Sequence, residues 1–318
     1  MNVQVTASEA SAPRKFSDPD ITAKGEKRGQ VSLKALDVLW FNTGTLCNIT
    51  CENCYIESSP RNDRLVYISR DEVVSFLDQA DALGRRPSEI GFTGGEPFMN
   101  PDIIAILEDC LRRGYRVLVL TNAMKPMQRL KTQLARINER FPGLLTLRVS
   151  LDHYSVEGHE RLRGEGTWAP AIEGLRWLAS AGIAVAVAGR TVSGEGEARM
   201  RAGYHDLFAR TGVPIDATDP ARLVLFPEMT AHDDVPEITE SCWGILKKSP
   251  DSVMCATSRM VVKRKGASAP VVVACTLLPY DAEFELGSSL RAASRPVKLN
   301  HRHCARFCVL GGASCSAP

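Results

Sequence analysis

A chain of 318 residues, 44% hydrophobic, 24% charged and only 6% aromatic, has a globular composition and the length to bury a sizeable core. A formal net charge of +2 leaves no dominant basic or acidic surface, so neither nucleic acid nor a membrane surface is an expected partner. No apolar run approaches the roughly 18 residues that a membrane-spanning helix needs.

Residues 1–33 mix Ser, Ala, Pro, Lys and Asp without the apolar middle of a secretory signal, and read as a flexible leader. A cytoplasmic location with reduced thiols is the resulting expectation. Ten cysteines in such a chain read as metal ligands rather than as a disulfide framework.

From Leu36 onward strands and helices alternate. The apolar run over 35–41 predicts a buried strand, and soon after its end stand Cys47, Cys51 and Cys54, spaced C-x3-C-x2-C and followed by Tyr55. Ser69 and Glu72 make a capping box for a helix reaching about Leu83. A short strand over 89–93 runs into Gly94, Gly95, Glu96 and Pro97. Asn100 and Pro101 open the next helix, and Gly114 follows its last turn. Strands over 116–121, 144–151, 183–192 and 222–226 then alternate with helices over 126–140, 167–180 (capped by Thr167) and 195–210. The alternation predicts an α/β protein with a parallel sheet, and six such units are too few for a closed eight-stranded barrel. Chemistry on such sheets sits at the C-terminal strand ends, where the cysteine loop and the glycine pair both fall.

Helical periodicity fades after Pro227, which predicts a boundary near Glu228. The chain then divides into the leader 1–33, a core over 34–228 and a cysteine-rich segment over 229–318. That segment carries Cys242, Cys255, Cys275, Cys304, Cys308 and Cys315. It also predicts a hairpin, with strands over 260–263 and 271–275 and a turn at Lys265-Gly266. Cys110, on an apolar helix face, reads as core. His153, His159, His205 and His232 show no ligand spacing.

Three thiolates on one loop are soft ligands that select iron–sulfur clusters, zinc or cuprous copper. A structural zinc site takes four ligands, so three leave a position open, unless a distant Cys or His completes the set. Glycines at 94 and 95 remove the Cβ atoms and let a ligand approach the backbone closely.

The cysteine spacing, the aromatic after it and the Gly-Gly-Glu-Pro stretch together resemble the radical S-adenosylmethionine (radical SAM) superfamily. The resemblance implies a partial (β/α)6 barrel, open on one side. It implies that Cys47, Cys51 and Cys54 hold a 4Fe–4S cluster whose fourth iron is chelated by the amino and carboxylate groups of SAM. Tyr55 follows a common variant of the motif, while Asn53 stands where the family usually has an aromatic or His. Gly94, Gly95 and Glu96 would lie against the methionine amino group, with Glu96 either pairing with that charge or bracing the loop. Thr121-Asn122 resembles the family's Thr-Asn-Gly with Ala123 in place of the glycine. Ser150-Leu151-Asp152 resembles its Ser-Leu-Asp, and Arg163 matches an arginine that holds the SAM carboxylate.

The cysteine-rich segment resembles the SPASM or twitch extension of these enzymes. That implies one auxiliary 4Fe–4S cluster on Cys255, Cys275 and two of Cys304, Cys308 and Cys315. A zinc knot from the same residues, with His301 or His303 as substitutes, stays open. The implied activity is reductive cleavage of SAM to a 5′-deoxyadenosyl radical that abstracts hydrogen from a peptide, protein or small-molecule substrate. The electron would come from a flavodoxin- or ferredoxin-like reductant. Peptide-serine-oxidising relatives carry an acid where this chain has Thr276, which argues against borrowing their activity. Asp281 is a conceivable base, but no catalytic acid or base is assigned. The alternative is a non-catalytic iron–sulfur or zinc module for electron transfer or assembly, which would have no use for a SAM site.

Overall fold

The apolar run that precedes the cysteine loop forms a central strand of the fold, and every one of its five residues is out of solvent. The computed structural model describes residues 14–191, 194–227 and 234–312. The expected boundary residue Glu228, His232 and Cys315 lie outside them. In chain order β1 (Gln30–Val31) and β2 (Val38–Asn42) lead to α1 (Arg70–Ala82) and β3 (Glu89–Thr93). There follow α2 (Ile103–Arg112), β4 (Arg116–Thr121), α3 (Lys125–Gln128), α4 (Lys131–Arg140) and β5 (Leu145–Ser150). Next come α5 (Val156–Arg163), α6 (Trp168–Ser180), β6 (Ala184–Thr191), α7 (Glu197–Thr211) and β7 (Leu223–Pro227). The C-terminal segment adds α8 (Cys242–Leu246), β8 (Ser258–Val262), β9 (Val271–Val273), β10 (Glu285–Gly287) and β11 (Val297–Lys298).

Strands β2 to β7 pair in sequence order, all parallel, with helices between them. These are the six parallel units that the alternation predicts, in the unclosed barrel that the resemblance implies. A seventh parallel strand was not foreseen: β8 pairs with β2, Val38 opposite Ser258, so one nine-stranded sheet runs β10-β9-β8-β2-β3-β4-β5-β6-β7 among the described residues. The predicted hairpin is β8 with β9, antiparallel, Met260 opposite Val273. Packing explains Gly91 in the middle of β3. A Cβ there would sit 2.3 Å from the Trp40 ring, which lies across the neighbouring strand.

Local chemistry accounts for the helix ends. Ser69 and Glu72 form the reciprocal capping box, Ser69 Oγ accepting from Glu72 N and Glu72 Oε2 from Ser69 N at 2.8 Å. Asn100 Oδ1 accepts from Asp102 N at 2.9 Å and so shapes the turn that leads into α2. Thr167 departs from expectation: its hydroxyl donates to Gly164 O at 2.6 Å and caps nothing. The helix expected over 126–140 is two, broken at Arg129-Leu130, where Leu130 takes φ −103° and ψ 12°. Gln128 donates to Ala123 O and Pro170 O and so anchors the end of the first piece.

Residues 14–33, expected to belong to a flexible leader, pack on the C-terminal segment. Arg28 is fully buried and pairs with Glu237 at 2.7 Å, and Glu237 also accepts from Phe16 N and Ala23 N. Strand β1 then pairs antiparallel with β11. A buried guanidinium with a carboxylate partner costs too much to separate for this stretch to move freely. Among the described residues no helix is long and apolar enough to cross a membrane.

Candidate functional site

The loop between β2 and α1 carries Cys47, Cys51 and Cys54, and it is pinned on several sides. Gly95 N donates to Gly44 O at 2.8 Å and Glu96 N to Leu46 O at 3.1 Å. A Cβ on Gly95 would lie 2.1 Å from Leu46 O, and one on Gly94 2.5 Å from Gly44 O. The glycine pair is thus required by the approach of the cysteine loop itself, where the sequence suggested the approach of a ligand. On the far side Glu52 N donates to Leu162 O at 2.7 Å, and Glu52 O accepts from Arg190 Nη1 at 3.0 Å. Asn53 occupies the family's aromatic position with φ 53°, a left-handed conformation that asparagine tolerates better than most residues.

The three cysteines line a cavity of about 170 Å³ at the C-terminal ends of the strands. Tyr55, Gly94, Gly95, Asn122, Ser150 and Arg163 line it with them. Tyr55 reaches Thr93 Oγ1 at 3.2 Å. Glu96, by contrast, is fully buried behind the glycine pair. It accepts from Thr121 Oγ1 and Asn122 N, both at 2.9 Å, and from Phe98 N at 3.2 Å, so it braces β3 to β4. Burial pushes its carboxyl up to about 7 against these stabilising bonds. Asn122, held by that brace, donates to Asn48 Oδ1 at 2.9 Å inside the cysteine loop.

Arg163 does not stand free in the cavity. It meets Asp152 at 2.9–3.0 Å, and the same carboxylate takes Arg190 Nη2 at 2.9 Å. Burial raises and the two guanidiniums lower the Asp152 carboxyl, and the guanidiniums win. For Arg163 burial opposes the charge, while Asp152 and the cysteine sulfurs more than offset it. Burial in turn pushes the Cys47 thiol up to about 12 and raises that of Cys51, with Arg163 opposing at both. One carboxylate facing two guanidiniums leaves the wall net positive beside the thiols. Arg190 was missed in the sequence, although a lone cation at the end of the small, apolar β6 was a visible signal.

The C-terminal segment builds a second, smaller cavity. Cys255, Cys275, Cys304 and Cys308 all line it, with His303 and otherwise apolar side chains such as Leu277, Phe284 and Val297. Cys304 and Cys308 lie on one turn of π-helix (Cys304–Leu310), whose wide spiral brings residues four apart onto nearly one face. Gly311 N donates to Arg306 O at 2.9 Å, five residues back, as that spiral requires. His301 packs against His303, with ring centroids 4.6 Å apart and the rings tilted by 56°. Cys242 lies elsewhere and accepts from Thr239 N at 3.3 Å, while Cys110 is core as expected. Asp281, the conceivable base, accepts from Glu283 N and caps a short turn. None of the nine described cysteines is in a disulfide.

Among the described residues no three His, Cys, Asp or Glu side chains converge on a single ion. A cluster asks something different of its ligands, because each thiolate meets its own iron. Leu277 lines both cavities, and Phe307 of the π-turn reaches the first, where its ring packs tilted against Phe226 of β7 with centroids 5.5 Å apart. Two residues past Cys54, Ile56 O accepts from Tyr280 Oη at 2.8 Å, so the tail also touches the cysteine loop.

The chain is similar to known proteins in sequence and in fold. The Radical SAM superfamily matches over residues 41–201, half of the chain. The antilisterial bacteriocin subtilosin biosynthesis protein AlbA of Bacillus subtilis (strain 168) is 31% identical over 169 residues, which cover 53% of this chain and 35% of AlbA. The mycofactocin maturase MftC of Mycobacterium tuberculosis (strain ATCC 25618 / H37Rv) is 26% identical over 138 residues, 43% of this chain and 33% of its own. The chain therefore matches about a third of the length of these relatives. Among solved structures, Streptococcus suis SuiB bound to S-adenosylmethionine superposes with a TM-score of 0.58 at 14% identity, over 80% of this chain and 63% of SuiB. Native anSMEcpe with bound AdoMet gives 0.57 at 12% identity, over 83% of this chain and 81% of its own. These two likenesses show a shared fold.

Proposed function

The chain belongs to the radical SAM superfamily, and from that premise we propose that Cys47, Cys51 and Cys54 hold a 4Fe–4S cluster and that SAM binds beside it in the larger cavity. The carrying observation is the joint placement in one cavity of three thiols from a single loop and polar side chains from successive strand ends. The residues fit both groups. The net positive wall of Arg163, Arg190 and Asp152 suits thiolates and a carboxylate, and the pinned backbone around Gly94 and Gly95 offers carbonyls to an ammonium. When bound, cluster and SAM supply one-electron cleavage of a SAM carbon–sulfur bond and, through it, hydrogen abstraction from a substrate carbon.

The remaining roles fall to side chains. Glu96 fixes the ends of β3 and β4 and thereby the Asn122 amide. Asp152 orients Arg163 toward the cysteine sulfurs and Arg190 toward the loop carbonyl at Glu52. Ser150 offers a hydroxyl from the end of β5. Phe226, Pro227, Leu277 and Phe307 give the cavity an apolar side toward the tail, where a substrate carbon can be kept from water.

The smaller cavity is read as the seat of one auxiliary 4Fe–4S cluster on Cys255, Cys275, Cys304 and Cys308. The functional division proposed is 34–228 for SAM chemistry and 229–318 for the auxiliary centre, with one sheet running through both. A peptide is the favoured substrate class: AlbA serves bacteriocin biosynthesis and one SuiB structure contains the precursor peptide SuiA. A flavodoxin- or ferredoxin-like donor in the cytoplasm would supply the electron. The test is anaerobic reconstitution with iron and sulfide, then SAM and a reductant. Release of 5′-deoxyadenosine and methionine is the expected result, and its absence from cluster-loaded protein would return the chain to the electron-carrier alternative.

A further inference from the structure

We propose that Arg259 is the fixed counter-charge of an anionic metal–thiolate centre in the tail cavity, setting how tightly that centre is held and how readily it is reduced. The inference rests on the reading of the four tail cysteines as ligands.

Arg259 sits in β8, between β2 and β9, and is 1% exposed. All three of its nitrogens donate, yet only to neutral main-chain oxygens. Nε donates to Ala293 O at 2.8 Å, Nη1 to Cys255 O at 2.6 Å and Ser258 O at 2.7 Å, and Nη2 to Arg295 O at 3.3 Å. Among the described residues no carboxylate is within ion-pairing distance of it. Arg28, equally buried, has Glu237 at 2.7 Å. Carbonyl dipoles satisfy hydrogen bonds but do not cancel a charge, and a buried charge without an anion is expensive.

The anions it can face are the sulfurs of a loaded centre. Arg259 Nη1 grips the main chain of Cys255 itself at 2.6 Å, and Val273, two residues before Cys275, pairs with Met260, the residue after Arg259. Neutral thiols offer it nothing. Four thiolates around zinc or a 4Fe–4S core outweigh the metal's charge, so the loaded centre is net negative. The rest of the cavity wall is mostly apolar, which keeps the attraction strong. Loading the site therefore completes an ion pair that the protein alone leaves half-made.

The test uses the full chain in a C47A/C51A/C54A background, which leaves the tail as the cluster site. R259K keeps the charge and loses the fork, whereas R259Q keeps hydrogen bonding and loses the charge. After anaerobic loading, iron, sulfide and zinc are counted and the midpoint potential is taken by redox titration followed by electron paramagnetic resonance. R259K should stay near the parent. R259Q should lose metal affinity by about 10–100-fold in chelator competition, and any cluster retained should have a more negative potential. If zinc alone loads, the auxiliary-cluster reading fails, while the affinity comparison still judges Arg259. K and Q variants that behave alike overturn the inference, and so does a parent that binds neither metal. An R259Q that cannot fold without metal, beside an R259K that folds, also overturns it, because the charge would then serve the metal-free protein.

Discussion

The two cysteine-lined cavities differ in the polarity of their walls and in the strain of the backbone around them. The one at the strand ends is walled by Thr93, Asn122, Ser150, Asp152, Arg163 and Arg190. The one in the tail offers four cysteines and one histidine in an otherwise apolar wall. Backbone strain divides the same way. Of the non-glycine residues with positive φ, Asn53 and Glu57 lie in the cysteine loop and Ala123 at the end of β4, and none lines the tail cavity. Three ligands in a polar, strained setting suit a centre that must admit and position another molecule. Four in an apolar setting would suit the proposed auxiliary centre, which would keep its ligands and exchange only charge.

The largest expected effect separates the two outright. C47A/C51A/C54A should abolish 5′-deoxyadenosine formation and lower iron from about eight to about four per chain. Nucleoside chromatography and iron analysis read both, and cleavage near wild type would dissolve the distinction. C255A/C275A should do the reverse, leaving SAM cleavage measurable while product is lost once a substrate is known. Cleavage at background in folded protein with a loaded first cluster would show that the tail, through Tyr280 and Ile56, helps build the strand-end site.

A buried carboxylate gives the strand-end cavity a pH dependence of its own. The Glu96 carboxyl lies near 4.5 ordinarily and is raised to about 7 when folded. Its stability contribution is therefore complete below about 4.5 and lost as pH rises through about 7. In metal-free protein, denaturant titrations from pH 5 to 8 should shift the balance toward E96Q by on the order of 3 kcal/mol. A constant difference between the two proteins would locate the raised acid elsewhere. The smallest effect tests the strain: Ala123 holds φ 58°, where the family's pattern has glycine. A123G should gain about 0.5 kcal/mol in the denaturant midpoint, strain relief being partly offset by glycine's entropy.

Much of this was legible in the sequence because it is local. Apolar runs marked β2 to β7, the capping box marked α1, and the cysteine spacing with Gly94-Gly95 marked the site. What escaped depends on distant partners. Nothing near Ser258 says that it will lie beside Val38, and nothing near Arg28 names Glu237. The glycine pair stood out in the sequence, but the atoms that crowd it, Gly44 O and Leu46 O, show only in three dimensions. Arg163 likewise looked free for a ligand until Asp152 was seen beside it.

The pairing of β8 with β2 also has a consequence in time. The strand that delivers the three cysteines is made early, but the partner for its second edge emerges from the ribosome only after residue 258. At ordinary elongation rates that interval is on the order of 10–40 s. Throughout it, Val38, Leu39, Trp40 and Phe41 present an open apolar edge to any neighbouring nascent chain. Slower translation lengthens that exposure and chaperones shorten it, so the fraction recovered folded should rise with chaperone supply.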